Sequence, residues 1–312
     1  MSHETTKEMA KETAKRPALW RCWLHAIRPK TLFAAVSPVV LGIAVAVRNE
    51  VFDLLPALAA LLCALLIQIG TNFANEYWDW KKGADRDTRK GPPRATSLGW
   101  ISPGTMLAAV IATFGATALL GSFLVWHAGW PILLIGILSI LCGIFYTAGP
   151  FALAYLGLGE IFVLFFFGPI ACAGTYYVQT LNLDITCILL GFAAGSYSAA
   201  LLTVNNLRDI RDDIASKKNT LAARFGERFA RIEFLVFLIC PALLAPLAAW
   251  LDGYTILWTA LLFGLPVFWA WRTGKRFMET QVGPVLNRFL GETGGVSMAF
   301  TLLVSLIWIF IR

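Results

Sequence analysis

Residues 54–79 read LLPALAALLCALLIQIGTNFANEYWD, and the two parts of this stretch obey different rules. No charged residue occurs between Leu54 and Asn75, and an apolar run of that length crosses a bilayer as a helix. The last two turns then set Asn72, Asn75, Glu76 and Asp79 at i, i+3, i+4 and i+7, which is one stripe of a helix. A second apolar run, near residues 184–206, ends in the same way with Asn205, Asn206, Asp209, Asp212 and Asp213; all but Asn206 fall at i, i+4, i+7 and i+8. A carboxylate on such a helix costs roughly 2.5–3.5 kcal/mol at the bilayer centre by insertion scales, and less toward the interface. The competing reading is that each cluster is a wet helix end neutralised by neighbouring Lys and Arg. As a matched pair they read as one site, whose converging oxygens suit a hard divalent cation.

Composition sets the class. Of 312 residues, 58% are hydrophobic and 14% charged, against roughly 25% charged in soluble domains. This is the composition of a polytopic membrane protein. The net charge of +7 sits in loops between apolar runs, where orientation signals belong, so nucleic acid is excluded as a partner. Cys22, Cys63, Cys142, Cys172, Cys187 and Cys240 show no Cys-x-x-Cys pairing and read as small core residues. His3, His25 and His127 are scattered, which argues against a histidine base or metal site.

Residues 1–25 read as a polar cytoplasmic tail without signal-peptide character, and residues 26–312 as one membrane domain. Trp20 and Trp23 lead into it at headgroup level. Nine transmembrane helices are expected, near 31–48, 54–78, 104–126, 130–147, 158–178, 184–206, 231–251, 255–272 and 290–311. With the N-terminus inside, all but Arg48 and Arg312 of the 26 Lys and Arg fall on the cytoplasmic side. Both acidic clusters then face the cytoplasm. The second and sixth spans run in the same direction and end alike, which predicts two parallel halves meeting at a central cavity. Each cluster opens into a long loop rich in Lys and Arg, and long loops in compact proteins carry function. Neither loop holds a Walker A motif or a dinucleotide fingerprint.

Three stretches, Asn72-Phe-Ala-Asn-Glu-Tyr-Trp-Asp79, Arg89-Lys-Gly-Pro-Pro-Arg94 and Asn205-Asn-Leu-Arg-Asp-Ile-Arg-Asp-Asp213, resemble the intramembrane prenyltransferases of the UbiA superfamily. Tyr146-Thr-Ala-Gly-Pro150, Tyr155-Leu-Gly-Leu-Gly-Glu160 and its continuation to Pro169, Gly174-Thr-Tyr-Tyr-Val-Gln-Thr180 and Lys218-Asn-Thr-Leu-Ala-Ala-Arg-Phe-Gly226 are similar to the branch that prenylates 1,4-dihydroxy-2-naphthoate in menaquinone synthesis. The resemblance runs from about residue 25 to the end. It implies an all-α enzyme of the cell (inner) membrane, with about nine helices around a central cavity opening to the cytoplasm. The implied reaction moves a long prenyl group from a polyprenyl diphosphate to dihydroxynaphthoate, with loss of CO2 and diphosphate, giving demethylmenaquinone. Mg2+ is the implied cofactor. By position, the first metal motif falls on Asn75, Glu76 and Asp79, and the second on Asp209 and Asp213. The chain departs from the family at Glu76, where Asp is usual, and at Gly83, where the broader superfamily often has Asp; Asp85 or Asp87 is the expected substitute.

The residue types suit this chemistry. An allylic diphosphate ionises when cations neutralise the leaving group, and the carbocation needs a dry pocket and aromatic faces. Asp79, Asp209, Lys218 and Glu160 are the expected catalytic residues. Asn72, Lys82, Arg86, Arg94, Tyr146, Asn205, Asn206 and Arg208 are expected to bind substrate. Tyr77, Trp78 and Phe145 join Tyr146 as aromatic candidates, and Glu160 is the candidate for orienting the acceptor ring. A different aromatic acceptor, 4-hydroxybenzoate or a chlorin, and transport of a cation or lipid diphosphate are the competing readings. Single cysteines near Ala84 and Ser216, in a cysteine-free background, are expected to react with an impermeant thiol reagent only from the cytoplasm, and one near Gly253 only from outside. Reversed labelling overturns the orientation.

Overall fold

The computed structural model describes residues 17–83, 94–150 and 152–311. Most of the expected tail lies outside the described residues, as do Asp85, Arg86 and Asp87 of the first polar loop. The described residues form helices and no strand: α1 (Leu19–Ile27), α2 (Pro29–Arg48), α3 (Leu54–Lys81), α4 (Pro103–Ala128), α5 (Trp130–Phe145), α6 (Gly159–Phe165), α7 (Ala171–Thr180), α8 (Ile185–Arg208), α9 (Ile210–Ala215), α10 (Leu221–Leu251), α11 (Ile256–Glu279) and α12 (Asn287–Phe310). All nine expected spans are present. Eight are long and apolar enough to cross a membrane, with α6 and α7 forming one of them, and α5 is shorter at 16 residues. The protein is an integral membrane protein.

Local chemistry sets the ends of these helices. Asp53, Ser102, Asp184 and Thr220 each accept a bond from a backbone N–H of the turn they open, at 2.8–3.2 Å. Exposed Trp126, Trp130 and Trp250 girdle one end of the bundle, and Trp20 and Trp271 the other, as expected of interfacial rings. The helix α8 is the axis of the molecule. Leu190, Ala194, Tyr197, Val204 and Leu207 on it are wholly buried, packed among Leu41 of α2, Phe234 of α10 and Val304 and Trp308 of α12. The two halves pair alike: α3 lies on α4 and α8 on α10, each pair spanning one of the long polar loops.

Four features depart from the sequence reading. The packed body begins before residue 26, because α1 is a helix with Cys22 and Ala26 buried against Phe73 and Ala74 of α3. Its apolar side faces α3 rather than solvent. The second acidic cluster is not one continuous stripe, since Asp209 leaves helical geometry (φ −94°, ψ 7°) and divides α8 from α9. The helix α10 starts earlier than expected, at Leu221, but Gly226 (φ 86°) breaks it and confines its membrane-crossing part to the residues that follow.

The fifth span is the fourth departure. Between α6 and α7 it widens into a π turn over Phe166–Ile170, with Phe167 and Gly168 outside helical geometry. Gly191 and Gly195 of α8 sit against this turn. A Cβ on Gly168 would lie 2.9 Å from the Gly191 carbonyl oxygen, one on Gly191 would lie 2.6 Å from Pro169 Cα, and one on Gly195 would overlap the Leu164 carbonyl oxygen. Backbone meets backbone here, so neither helix has a side chain that can yield. Gly195→Ala is expected to destabilise the protein by about 1–3 kcal/mol through overpacking, read as a lower midpoint of thermal unfolding in detergent; an unchanged midpoint contradicts the close contact.

Candidate active site

A cavity of about 820 Å³ runs between the two halves. Its wall is polar at one end, where Asn72, Asn75 and Asp79 of α3 face Asn205 and Asn206 of α8, with Asp209, Arg94, Arg208 and Lys218 at the rim. Deeper in, Cys63, Leu124, Ile135, Phe162, Phe166 and Val178 make it apolar. The helix α3 explains half of the polar end: positions 72, 75 and 79 point along one face, and the C-terminal turns carry them into the cavity. The helix α8 supplies the other half in the same way.

Among the described residues, each half presents a carboxylate gripped by an arginine. Arg94 Nη2 donates to Asp79 Oδ2 at 2.8 Å. Arg208 makes a two-pronged contact with Asp209, Nε to Oδ1 at 2.8 Å and Nη2 to Oδ2 at 2.6 Å, and its third nitrogen donates to Asn287 Oδ1 at 2.6 Å. Asn75 Oδ1 accepts from Thr147 at 2.9 Å, which turns the amide toward the cavity. Tyr155 donates to the other Asp79 oxygen at 3.3 Å.

Glu76 is turned away from this surface. It is fully buried, and Oε1 accepts from Arg28 at 3.2 Å and Arg94 at 3.3 Å, while Oε2 accepts from the Thr96 N–H at 3.3 Å. It shares Arg94 with Asp79. Asn72 holds the bend between α1 and α2, donating to Ile27 O at 2.8 Å and Thr31 Oγ1 at 3.1 Å. Glu160 is buried beside the cavity and accepts from Asn206 Nδ2 at 2.6 Å. Asp213 is buried with Thr220, at 3.2 Å, and Lys218, at 3.7 Å. Lys82 stands outside the rim, donating to Gly149 O at 3.0 Å. Burial holds its ammonium below the ordinary lysine pKa; Asp79 opposes that shift and Lys218 adds to it.

Of the aromatic candidates only Tyr146 lines the cavity. Tyr77 and Trp78 carry Lys81 over their rings, and Phe145 is exposed. The structure adds Phe162 and Phe166, parallel rings 6.0 Å apart on the cavity wall, together with Thr147 and Arg28. Phe162 and Phe166 lie four apart in an all-apolar run, so their sequence carries no mark of a cavity face. Arg28 reads in sequence as one more topology signal.

The donor set fits a hard divalent cation: two carboxylates and two amide oxygens on facing walls. Among the described residues no three acidic, His or Cys groups cluster closely enough to hold an ion by themselves. A Mg2+ site of the usual kind, with one or two carboxylates and the remaining positions open to water and phosphate, would fit this arrangement.

Residues 35–290 match the UbiA prenyltransferase family. Over 294 residues the chain is 34% identical to the 1,4-dihydroxy-2-naphthoate octaprenyltransferase of Haemophilus influenzae, covering 92% of this chain and 95% of that one. Over 217 residues it is 42% identical to the Escherichia coli protein of the same name, covering 68% and 70%. Its fold is similar to the solved structure of a UbiA homolog from Archaeoglobus fulgidus bound to GPP and Mg2+, with a TM-score of 0.69, 16% identity, and 93% and 100% of the two chains covered.

The burial of Glu76 leads to a measurable distinction. Glu76→Gln leaves two guanidiniums facing a neutral amide, and removing one partner of a buried pair costs about 3–5 kcal/mol. The lower end is expected because Arg28 keeps 25% of its side chain exposed. Unfolding in detergent reads this loss; native stability combined with a higher Mg2+ concentration for half-maximal activity identifies Glu76 as a ligand instead.

Proposed function

This chain belongs to the UbiA prenyltransferase family, and on that premise we propose that it transfers a polyprenyl group from a polyprenyl diphosphate to 1,4-dihydroxy-2-naphthoate, with release of diphosphate and CO2. The product is the prenylated naphthalenediol, the reduced form of demethylmenaquinone. The observation that carries the reading is a cavity whose polar end gathers both Asp79–Arg94 and Asp209–Arg208 while its body is apolar. A diphosphate head with a hydrocarbon tail has that same division. The relatives named for naphthoate prenylation favour this acceptor over 4-hydroxybenzoate or a chlorin, and displace the transport reading.

Mg2+, held by Asp79 and Asp209 with Asn75 and Asn205 beside them, would act as a Lewis acid on the leaving diphosphate. The chain's own residues do the rest. Arg94, Arg208, Lys218 and Arg28 lie at the rim, where a polyanion docks, and their charge offsets what develops on the leaving oxygen. The apolar wall keeps water from the allylic carbon after its C–O bond breaks and the electron pair departs with diphosphate. Tyr146, Phe162 and Phe166 present ring faces to that region. The ring carbon of the acceptor closes the new C–C bond, and the acceptor carboxylate leaves as CO2. Glu160 acts through Asn206: its carboxylate fixes the amide, and the amide faces the acceptor's oxygens. The distribution of Lys and Arg supports a site opening to the cytoplasm with the N-terminus on the same side, in the inner membrane.

Membranes containing the protein, supplied with Mg2+, a polyprenyl diphosphate and either aromatic acid, are expected to form prenylated naphthoquinol and little product from 4-hydroxybenzoate. Asp79→Ala and Asp209→Ala are each expected to lower turnover at least ~100-fold while the protein stays folded. Equal use of both acids, or full turnover in chelator, overturns the reading.

A further inference from the structure

Tyr155 sits where three loops meet. It ends a 3-10 turn, Leu153–Tyr155, in the connection between α5 and α6. Its carbonyl accepts from Asn219 N at 3.2 Å, which ties that connection to the loop before α10. Gly157 (φ 74°) makes the approach possible, since a Cβ there would lie 2.8 Å from the Asn219 carbonyl oxygen. The hydroxyl donates to Asp79. Lys82 Nζ, from the end of α3, lies 4.2 Å from the centre of the ring, and Lys218 Nζ, from the loop of the other half, lies 5.9 Å from it.

Two ammonium groups from opposite halves therefore share one aromatic ring. Each is attracted to the ring and repelled by the other. Their remaining partners are modest: Lys82 donates to the Gly149 carbonyl, and Lys218 reaches Asp213 at 3.7 Å. Lys218 also lines the cavity, and Lys82 stands just outside its rim. A multiply charged anion entering there offers both ammoniums more than the ring does, because charge-assisted hydrogen bonds to phosphate oxygens are stronger than a cation–π contact.

We propose that Tyr155 is a positioning residue that mounts Lys82 and Lys218 as a two-lysine clamp for the diphosphate of the incoming substrate. This rests on the reading of the site as a prenyl diphosphate site, and it assigns to Tyr155 a role at the leaving group rather than at the acceptor ring. The ring holds both lysines beside the polar end of the cavity and keeps them there while an arriving diphosphate binds. Because the two lysines come from the two halves, the anion closes one half upon the other.

The experiment measures binding of inorganic diphosphate and of geranyl diphosphate to the detergent-purified full chain, with Mg2+ present and without acceptor. Residue 155 is replaced by Phe, by phenylalanines of increasing ring fluorination, and by Leu. Fluorine keeps the ring's shape while draining its negative face, so affinity is expected to fall stepwise from Phe, reaching about tenfold below it in the most fluorinated variant and in Leu. In a Lys82→Met, Lys218→Met background the same series is expected to be flat. Affinity independent of fluorination overturns the proposal, as does an equal dependence without the lysines. Should Leu fail to fold, the fluorinated series decides alone. Wild-type protein that binds neither diphosphate overturns the proposal together with the prenyl diphosphate reading. Graded diphosphate binding without turnover of dihydroxynaphthoate upholds the proposal and overturns only the acceptor.

Discussion

The guanidinium of Arg94 lies between the carboxylates of Glu76 and Asp79, and much of the polar end of the molecule is arranged to keep it there. An acid on an apolar helix must meet a cation or lose its charge. Arg94 meets two of them from the far side of a long loop, and Arg28, at the left-handed joint between α1 and α2, brings the second cation that Glu76 requires. The amide of Asn72 then holds the joint. Neutralising a single stretch of α3 thus fixes the position of Arg94, the helix before α2 and the bend between the two helices. What reaches the cavity is the remainder: one carboxylate with one arginine, presented beside an amide.

The other half solves the same problem by shorter means. Arg208 and Asp209 are neighbours in sequence, and the departure from helical geometry at Asp209 lets a residue grip its own successor. One half uses a distant partner and the other an adjacent one, yet both expose the same pair of groups. The likeness between halves is therefore one of chemistry at the cavity wall and of paired helices, and each local solution is separate.

This contrast marks how much of the molecule is legible in its sequence. The nine spans are, because the tendency to cross a membrane is local and additive along some twenty residues. That Asn75, Asp79, Asn205 and Asp209 line one cavity is legible too, since helical spacing at the end of an apolar run leaves few faces to choose. Glu76 is where that reasoning stops: it belongs to the same stripe, but an arc wide enough for four residues spans two environments, and only the positions of Arg28 and Arg94 decide which side it serves. The break at Asp209 is hidden because each residue around it suits a helix. Phe162 and Phe166 are hidden for another reason, as an unbroken apolar run has no periodicity from which a cavity face can be read.

The contact of Gly168 with Gly191 and Gly195 bears on how the sequence can change over time. In most packed interfaces a larger residue on one side is accommodated by a smaller one opposite, and two positions drift as a pair. No such exchange exists here, because all three positions already hold the smallest residue and the surfaces in contact are main chain. Constraint at these positions is arithmetic rather than chemical: it follows from volume alone and is indifferent to which tail or which ring the cavity accepts. A lineage that altered its substrates would be free to rewrite the cavity wall at Phe162 and Phe166 while leaving the three glycines in place.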